Sequence, residues 1–152
     1  MSSIIFICTG NICRSPMAEY MLRNIIGEDS DWVVESAGLL AANGVPASTA
    51  AIQVLKEDEG IDLSPHRSRM LTPEMVASAG MLVCMSPTHR KHILHLVPSA
   101  SEKTHILTDF DLQSSDPEIY DPIGHSVPVY RQIKNQIKSA LPDLVLYMKE
   151  LQ

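Results

Sequence analysis

The chain has 152 residues, 45% hydrophobic and 20% charged, with a formal net charge of -6. That size and composition suit one globular domain over residues 1–152 and exclude a disordered or fibrous chain. The acidic balance argues against general nucleic-acid binding, which needs many Lys and Arg on phosphates, and no stretch approaches the run of about 18 apolar residues that a membrane span requires. Ser3–Cys8 is a short, nearly continuous apolar run (Ile4, Ile5, Phe6, Ile7), the pattern of a strand covered on both faces in a parallel sheet. The period then changes to four, with Met17/Ala18, Met21/Leu22 and Ile25/Ile26, so Pro16–Ile26 is expected as an amphipathic helix. A second strand is expected at Trp32–Ser36 and a second helix at Ser48–Glu59, stopped by Gly60.

A short helix over Thr72–Ser78 precedes a buried strand at Met81–Met85, a helix at Thr88–Leu96 closed by Pro98, and a fourth strand at Lys103–Leu107. The acidic, turn-rich stretch Thr108–Ser126 holds two Asp-Pro pairs, Asp116-Pro117 and Asp121-Pro122, and reads as a functional loop. Pro128–Leu151 carries one apolar stripe and is expected as a helix, with a kink or break near Ala140 caused by Pro142. Strand and helix alternate throughout, which predicts an α/β, flavodoxin-like three-layer fold around a four-stranded parallel sheet.

Ligands of such folds sit beyond the carboxyl ends of the strands. The junction after the first strand reads Cys8-Thr9-Gly10-Asn11-Ile12-Cys13-Arg14-Ser15. Its backbone N–H groups and the helix it opens can converge on a tetrahedral anion, with Gly10 expected to allow the tight curvature. Arg14 adds a planar fork that holds two phosphate oxygens at once. A cysteine thiolate at the floor of that cradle is a nucleophile aimed at phosphorus, and Asp121, on a loop able to bend over it, is the expected proton donor. The cysteines Cys8, Cys13 and Cys84 lack zinc-type pairing, so no metal or cofactor is expected. Cys84, in an apolar strand, reads as core. His89, His92 and His95, spaced by three, read as a solvated helix face, because helical zinc pairs stand four apart.

Along nearly its whole length the sequence resembles the low-molecular-weight protein tyrosine phosphatases. The resemblance rests on Cys8–Pro16 as the family loop C-x5-R-S, on Ser36-Ala37-Gly38, and on Asp121-Pro122 before a terminal helix. It implies Cys8 as the nucleophile forming a cysteinyl-phosphate, Arg14 as phosphate ligand, and Asp121 as general acid and then base, with Thr9–Ser15 binding phosphate. It further implies that Ser15 hydrogen-bonds the Cys8 sulfur, that Asn11 is braced by Ser36 and His66, and that Cys13 can form a reversible disulfide with Cys8. Leu40 and Ile123 stand where many members place aromatic walls. A bacterial branch that removes phosphate from phosphoarginine carries Thr at the position of Ile12, so Ile12 favours phosphotyrosine. The related arsenate reductases need two further cysteines, and only Cys84 lies outside the loop. The expected partner is a phosphorylated protein and not nucleic acid or membrane, with a monomeric, cytoplasmic enzyme as the expectation.

Overall fold

The computed structural model describes residues 2–151. Four strands, β1 (Ser2–Cys8), β2 (Trp32–Gly38), β3 (Met81–Cys84) and β4 (Thr104–Ile106), form one parallel sheet in the order β2-β1-β3-β4. Five helices accompany them: α1 (Arg14–Ile26), α2 (Thr49–Glu59), α3 (Pro73–Ser78), α4 (Pro87–Leu96) and α5 (Val127–Glu150).

Side chains alternate across each strand, so β1 supplies both faces of the sheet. Ile4 and Phe6 join a core with Met17, Met21 and Leu22 of α1, Val54 and Leu55 of α2, and Ile137, Leu141 and Leu144 of α5. Ile5 and Ile7 join a second core with Val76 of α3 and Ile93 of α4. The result is the expected three-layer arrangement, and β3 is covered on both faces in the same way, with Met81 and Val83 in the first core and Leu82 and Cys84 in the second. From β1 the chain crosses to β2 on one side and later returns to β3 on the other, and that reversal opens a crevice beyond the carboxyl ends of β1 and β3.

The element boundaries shift where local bonding decides them. Helix α1 begins at Arg14, two residues before the expected start, and the Met17 N–H reaches Cys13 O at 3.3 Å. β4 is shorter than the expected Lys103–Leu107, because 3-10 turns over Pro98–Lys103 and Leu107–Phe110 take its flanks. Of the kink or break expected near Ala140, the break does not occur, since α5 is helical from Val127 to Glu150 with Pro142 inside it. Lys138 and Pro142 both face solvent, so water can take the carbonyl that the proline leaves unbonded, while buried Ala140, Leu141 and Leu144 pin the opposite face.

Candidate active site

The loop between β1 and α1 is fastened from outside. Leu39 N–H donates to Cys8 O at 3.0 Å, Leu40 N–H to Thr9 O at 2.9 Å and Ser48 N–H to Ile12 O at 2.8 Å. His66 Nε2 donates to Asn11 O at 2.7 Å, as a carbonyl can only accept. In a trans peptide the carbonyl and the following N–H point opposite ways, so Thr9, Gly10, Ile12 and Cys13 turn their N–H groups inward. These amides, with the N-terminus of α1 behind them, surround a recess of about 130 Å³ that Cys8, Arg14, Asp121 and Ile123 help to line.

The tight curvature comes from Asn11, at φ 57, rather than from Gly10, whose φ is not positive. A left-handed asparagine is tolerable where its side chain is held, and here every polar atom of it is used. Asn11 Nδ2 donates to Ser15 Oγ at 2.8 Å and to Ser36 Oγ at 2.9 Å, and Oδ1 accepts from Arg69 N–H at 3.0 Å. Glycine is instead required at Gly38, where an added Cβ would stand 2.6 Å from Thr9 O and 3.0 Å from Asn11 N.

Cys8 Sγ lies 2.9 Å from Ser15 Oγ and accepts from Asn11 N–H at 3.3 Å. Ser15 Oγ already accepts from Asn11, so its single proton is free for the sulfur. Arg14 is buried, with Nη1 donating to Ile119 O at 3.0 Å and Nη2 to Thr9 Oγ1 at 3.4 Å, while its buried Nε has no partner. That free donor suits an oxygen of a tetrahedral dianion in the recess. Asp121 Oδ2 stands 3.7 Å from Arg14 Nη2, and Oδ1 accepts from Ile123 N–H at 3.0 Å. Its loop is moored rather than loose: Ile119 N–H donates to Met85 O, Thr108 Oγ1 to Pro117 O, and Gln136 Nε2 to Glu118 O. Asp116, the other Asp-Pro carboxylate, accepts from Glu118 N–H and does not line the recess.

A cleft of about 620 Å³ adjoins the recess, sharing Thr9, Arg14 and Asp121 with it. Of the two wall residues, Leu40 lines this cleft and Ile123 lines the recess, both exposed. Exposed Tyr120, from the side of Asp121 opposite to the one considered in the sequence, supplies an aromatic ring to the cleft.

His89 departs from the solvated helix face expected of it. It is 7% exposed and its Nε2 lies 2.9 Å from Thr9 Oγ1. Its buried Nδ1 has no partner, so Nε2 is the protonated nitrogen, because a bare lone pair costs less than a stranded N–H. Burial, with Arg14 beside it, lowers the His89 pKa to about 4. The signal was present in the four-residue step from His89 to buried Ile93 on α4. Sequence reasoning also missed Glu19, which is buried and accepts from Ser36 Oγ at 2.5 Å, and the Arg69 backbone that holds Asn11. Among the described residues no group of three or more His, Cys, Asp or Glu is placed to hold a metal ion.

Cys13 donates to Ser48 Oγ at 3.4 Å and accepts from Tyr130 at 3.3 Å. Burial pushes its thiol pKa up and, together with the bond to Cys13, raises that of the Tyr130 hydroxyl to about 12. Cys8 and Cys13 are both free thiols here, and Cys84 is fully buried core.

The profile of a family described as low molecular weight phosphotyrosine protein phosphatase matches residues 3–152. A protein-arginine-phosphatase of Geobacillus stearothermophilus is 38% identical over 143 residues, covering 93% of this chain and 92% of its own. A low molecular weight protein-tyrosine-phosphatase of Acinetobacter johnsonii is 33% identical, covering 93% of this chain and 94% of its own. The solved arginine phosphatase of Geobacillus stearothermophilus superposes with a TM-score of 0.89 at 36% identity, covering 100% of this chain and 96% of that one.

Proposed function

The chain belongs to the low molecular weight phosphotyrosine protein phosphatase family, and from that premise we propose that it hydrolyses phosphotyrosine in proteins through a Cys8-phosphate intermediate. The Cys8 thiolate attacks phosphorus, the S–P bond forms and the P–O bond breaks, and the Asp121 carboxyl gives its proton to the departing phenolic oxygen. Asp121 then takes a proton from water as that water attacks phosphorus, and the S–P bond breaks to return the thiolate. Arg14 and the inward amides hold the equatorial oxygens, where charge is concentrated in the transition state. Thr9 Oγ1, accepting from Arg14 and His89, keeps its own proton for a phosphoryl oxygen.

The observation that carries this reading is the Cys8 sulfur on the floor of an amide-lined recess, with the Ser15 hydroxyl to stabilise it as nucleophile and as leaving group. Cys8→Ser is expected to cut turnover of p-nitrophenyl phosphate by at least about a thousandfold while orthophosphate still binds. Undiminished turnover would overturn the mechanism.

A second reading, phosphoarginine in place of phosphotyrosine with the same chemistry, has its own support. The Geobacillus stearothermophilus relative described above, matched by sequence and by structure, is named an arginine phosphatase, and Glu118 lines the cleft beside Asp121, where a guanidinium could be met. The hydrocarbon side chain of Ile12 and the ring of Tyr120 favour an aryl group. Peptides carrying each phosphoresidue, offered to the wild type and to Ile12→Thr, separate the two. Wild-type preference for phosphotyrosine, with a shift toward phosphoarginine in the variant, is the expected result, and a wild-type preference for phosphoarginine would reverse the assignment.

A further inference from the structure

Glu19 lies one turn into α1, is 6% exposed, and belongs to neither the recess nor the cleft. It takes an ion pair from Arg23 and the hydroxyl proton of Ser36. We propose that Glu19 is a positioning residue for the reaction, whose carboxylate, through Ser36 and Asn11, keeps the Ser15 proton on the Cys8 sulfur. The inference rests on the phosphatase reading above and adds one residue to it.

A serine hydroxyl has one proton and an ionised carboxylate has none to give. With its proton on Glu19, Ser36 can meet Asn11 only as an acceptor, so the Asn11 amide must present Nδ2 to it. The same Nδ2 then faces Ser15, which must also accept, and whose one proton has Cys8 Sγ as its near partner. If the amide turned over, Oδ1 would attract the Ser15 proton and draw it from the sulfur. That reversal would also press Oδ1 against a Ser36 oxygen whose proton is committed to Glu19. It would cost the bond from Arg69 N–H as well. Glu19 and the Arg69 amide thus hold the two ends of the Asn11 side chain in one sense.

The Ser15 proton matters most when the sulfur leaves phosphorus, so the second chemical step is the one that reports on Glu19. Glu19→Gln keeps the volume but offers one oxygen to Ser36 and Arg23 where the carboxylate offered two. With p-nitrophenyl phosphate in a rapid-mixing experiment, the burst reads S–P formation and the subsequent steady rate reads S–P hydrolysis. The expected result is a steady rate lowered about 5- to 10-fold with the burst rate changed by less than about twofold, the scale of one hydrogen bond. In a Ser15→Ala background, where the chain is already cut, Glu19→Gln should cost nothing further. An equal loss in both backgrounds, a loss in both steps together, or no loss would each overturn the proposal. If urea denaturation shows that Glu19→Gln does not fold, Ser36→Ala cuts the same link and must lower the steady rate alone, and failure to do so overturns the proposal equally. Absence of Cys8-dependent turnover in the wild type would instead sink the phosphatase reading, and so the two failures are distinguishable.

Discussion

Asn11 carries an unusual share of the site: its backbone bends the loop at φ 57, its carbonyl is fixed by His66, and its side chain links Ser15, Ser36 and Arg69. The loop motif made its place visible in the sequence, but the motif does not say which residue turns left-handed, and glycine was the natural expectation. His89 was misread for a similar reason. Three histidines at equal spacing look alike until the packing of Ile93 decides which one faces inward. Asp121 and Asp116 share a dipeptide, and the fold separates them by mooring Ile119 to Arg14 and Met85, which carries Asp121 over the recess. Asp121→Asn is therefore expected to lower kcat on an aryl phosphate by about 10²–10⁴-fold while orthophosphate inhibits as in the wild type. Asp116→Ala should change kcat by less than about twofold, since surface substitutions away from the reacting atoms have small effects. Steady-state kinetics of the two variants decides the matter, and the reverse pattern would move the acid to Asp116.

At the scale of elements, β1 and its helix were legible because a doubly covered strand and an amphipathic helix have such different periods. The four-stranded parallel sheet followed from alternation of strand and helix, whereas its order β2-β1-β3-β4 is given only by the structure. What could not be read was how α5 accommodates proline. Periodicity identified Ile137, Leu141 and Leu144 as one stripe, yet only the structure shows that Pro142 and Lys138 lie together on the wet side. Pro142→Ala should restore an intrahelical bond at a site that buries nothing. After allowance for the greater freedom of the unfolded chain, the expected gain is about 1–3 kcal/mol. A higher urea midpoint at unchanged slope is the measurement, and a lower midpoint would show that the ring contributes packing.

For the molecule as a whole, stability should depend on pH in two stages. Burial holds His89, His66 and His105 below the ordinary 6.5, His89 down to about 4. The unfolded chain therefore binds more protons than the folded one as pH falls from 6.5 toward 4, and stability declines over that window. A second decline begins below about 4.5, where α2 is tied to α5 through Asp58 and Glu59. Hydrogen bonds from Arg131 lower the Asp58 pKa; burial works against ionisation of Glu59, but Lys138 and Lys134 outweigh it. Groups with depressed folded pKa values stabilise above their unfolded values and lose that stabilisation as pH drops through the folded ones. Thermal melts from pH 8 to 3 should show both limbs. His89→Asn is expected to flatten the first, and Arg131→Gln the second, and a single limb unaffected by either would refute the assignment. Buried Lys134, between Asp58 and Glu59, also shows why this face was not predicted: partners on α2 and α5 lie far apart in the chain. The same holds for the candidate active site, where Arg14 bonds Ile119 across 105 residues and Cys13 meets Tyr130 across 117. A ribosome adding about 5–20 residues per second needs roughly 5–20 s to make the stretch between Arg14 and Ile119. During that interval Cys8 and Arg14 exist without Asp121, so under the proposed mechanism a nascent chain cannot act as a phosphatase until the terminal third has emerged.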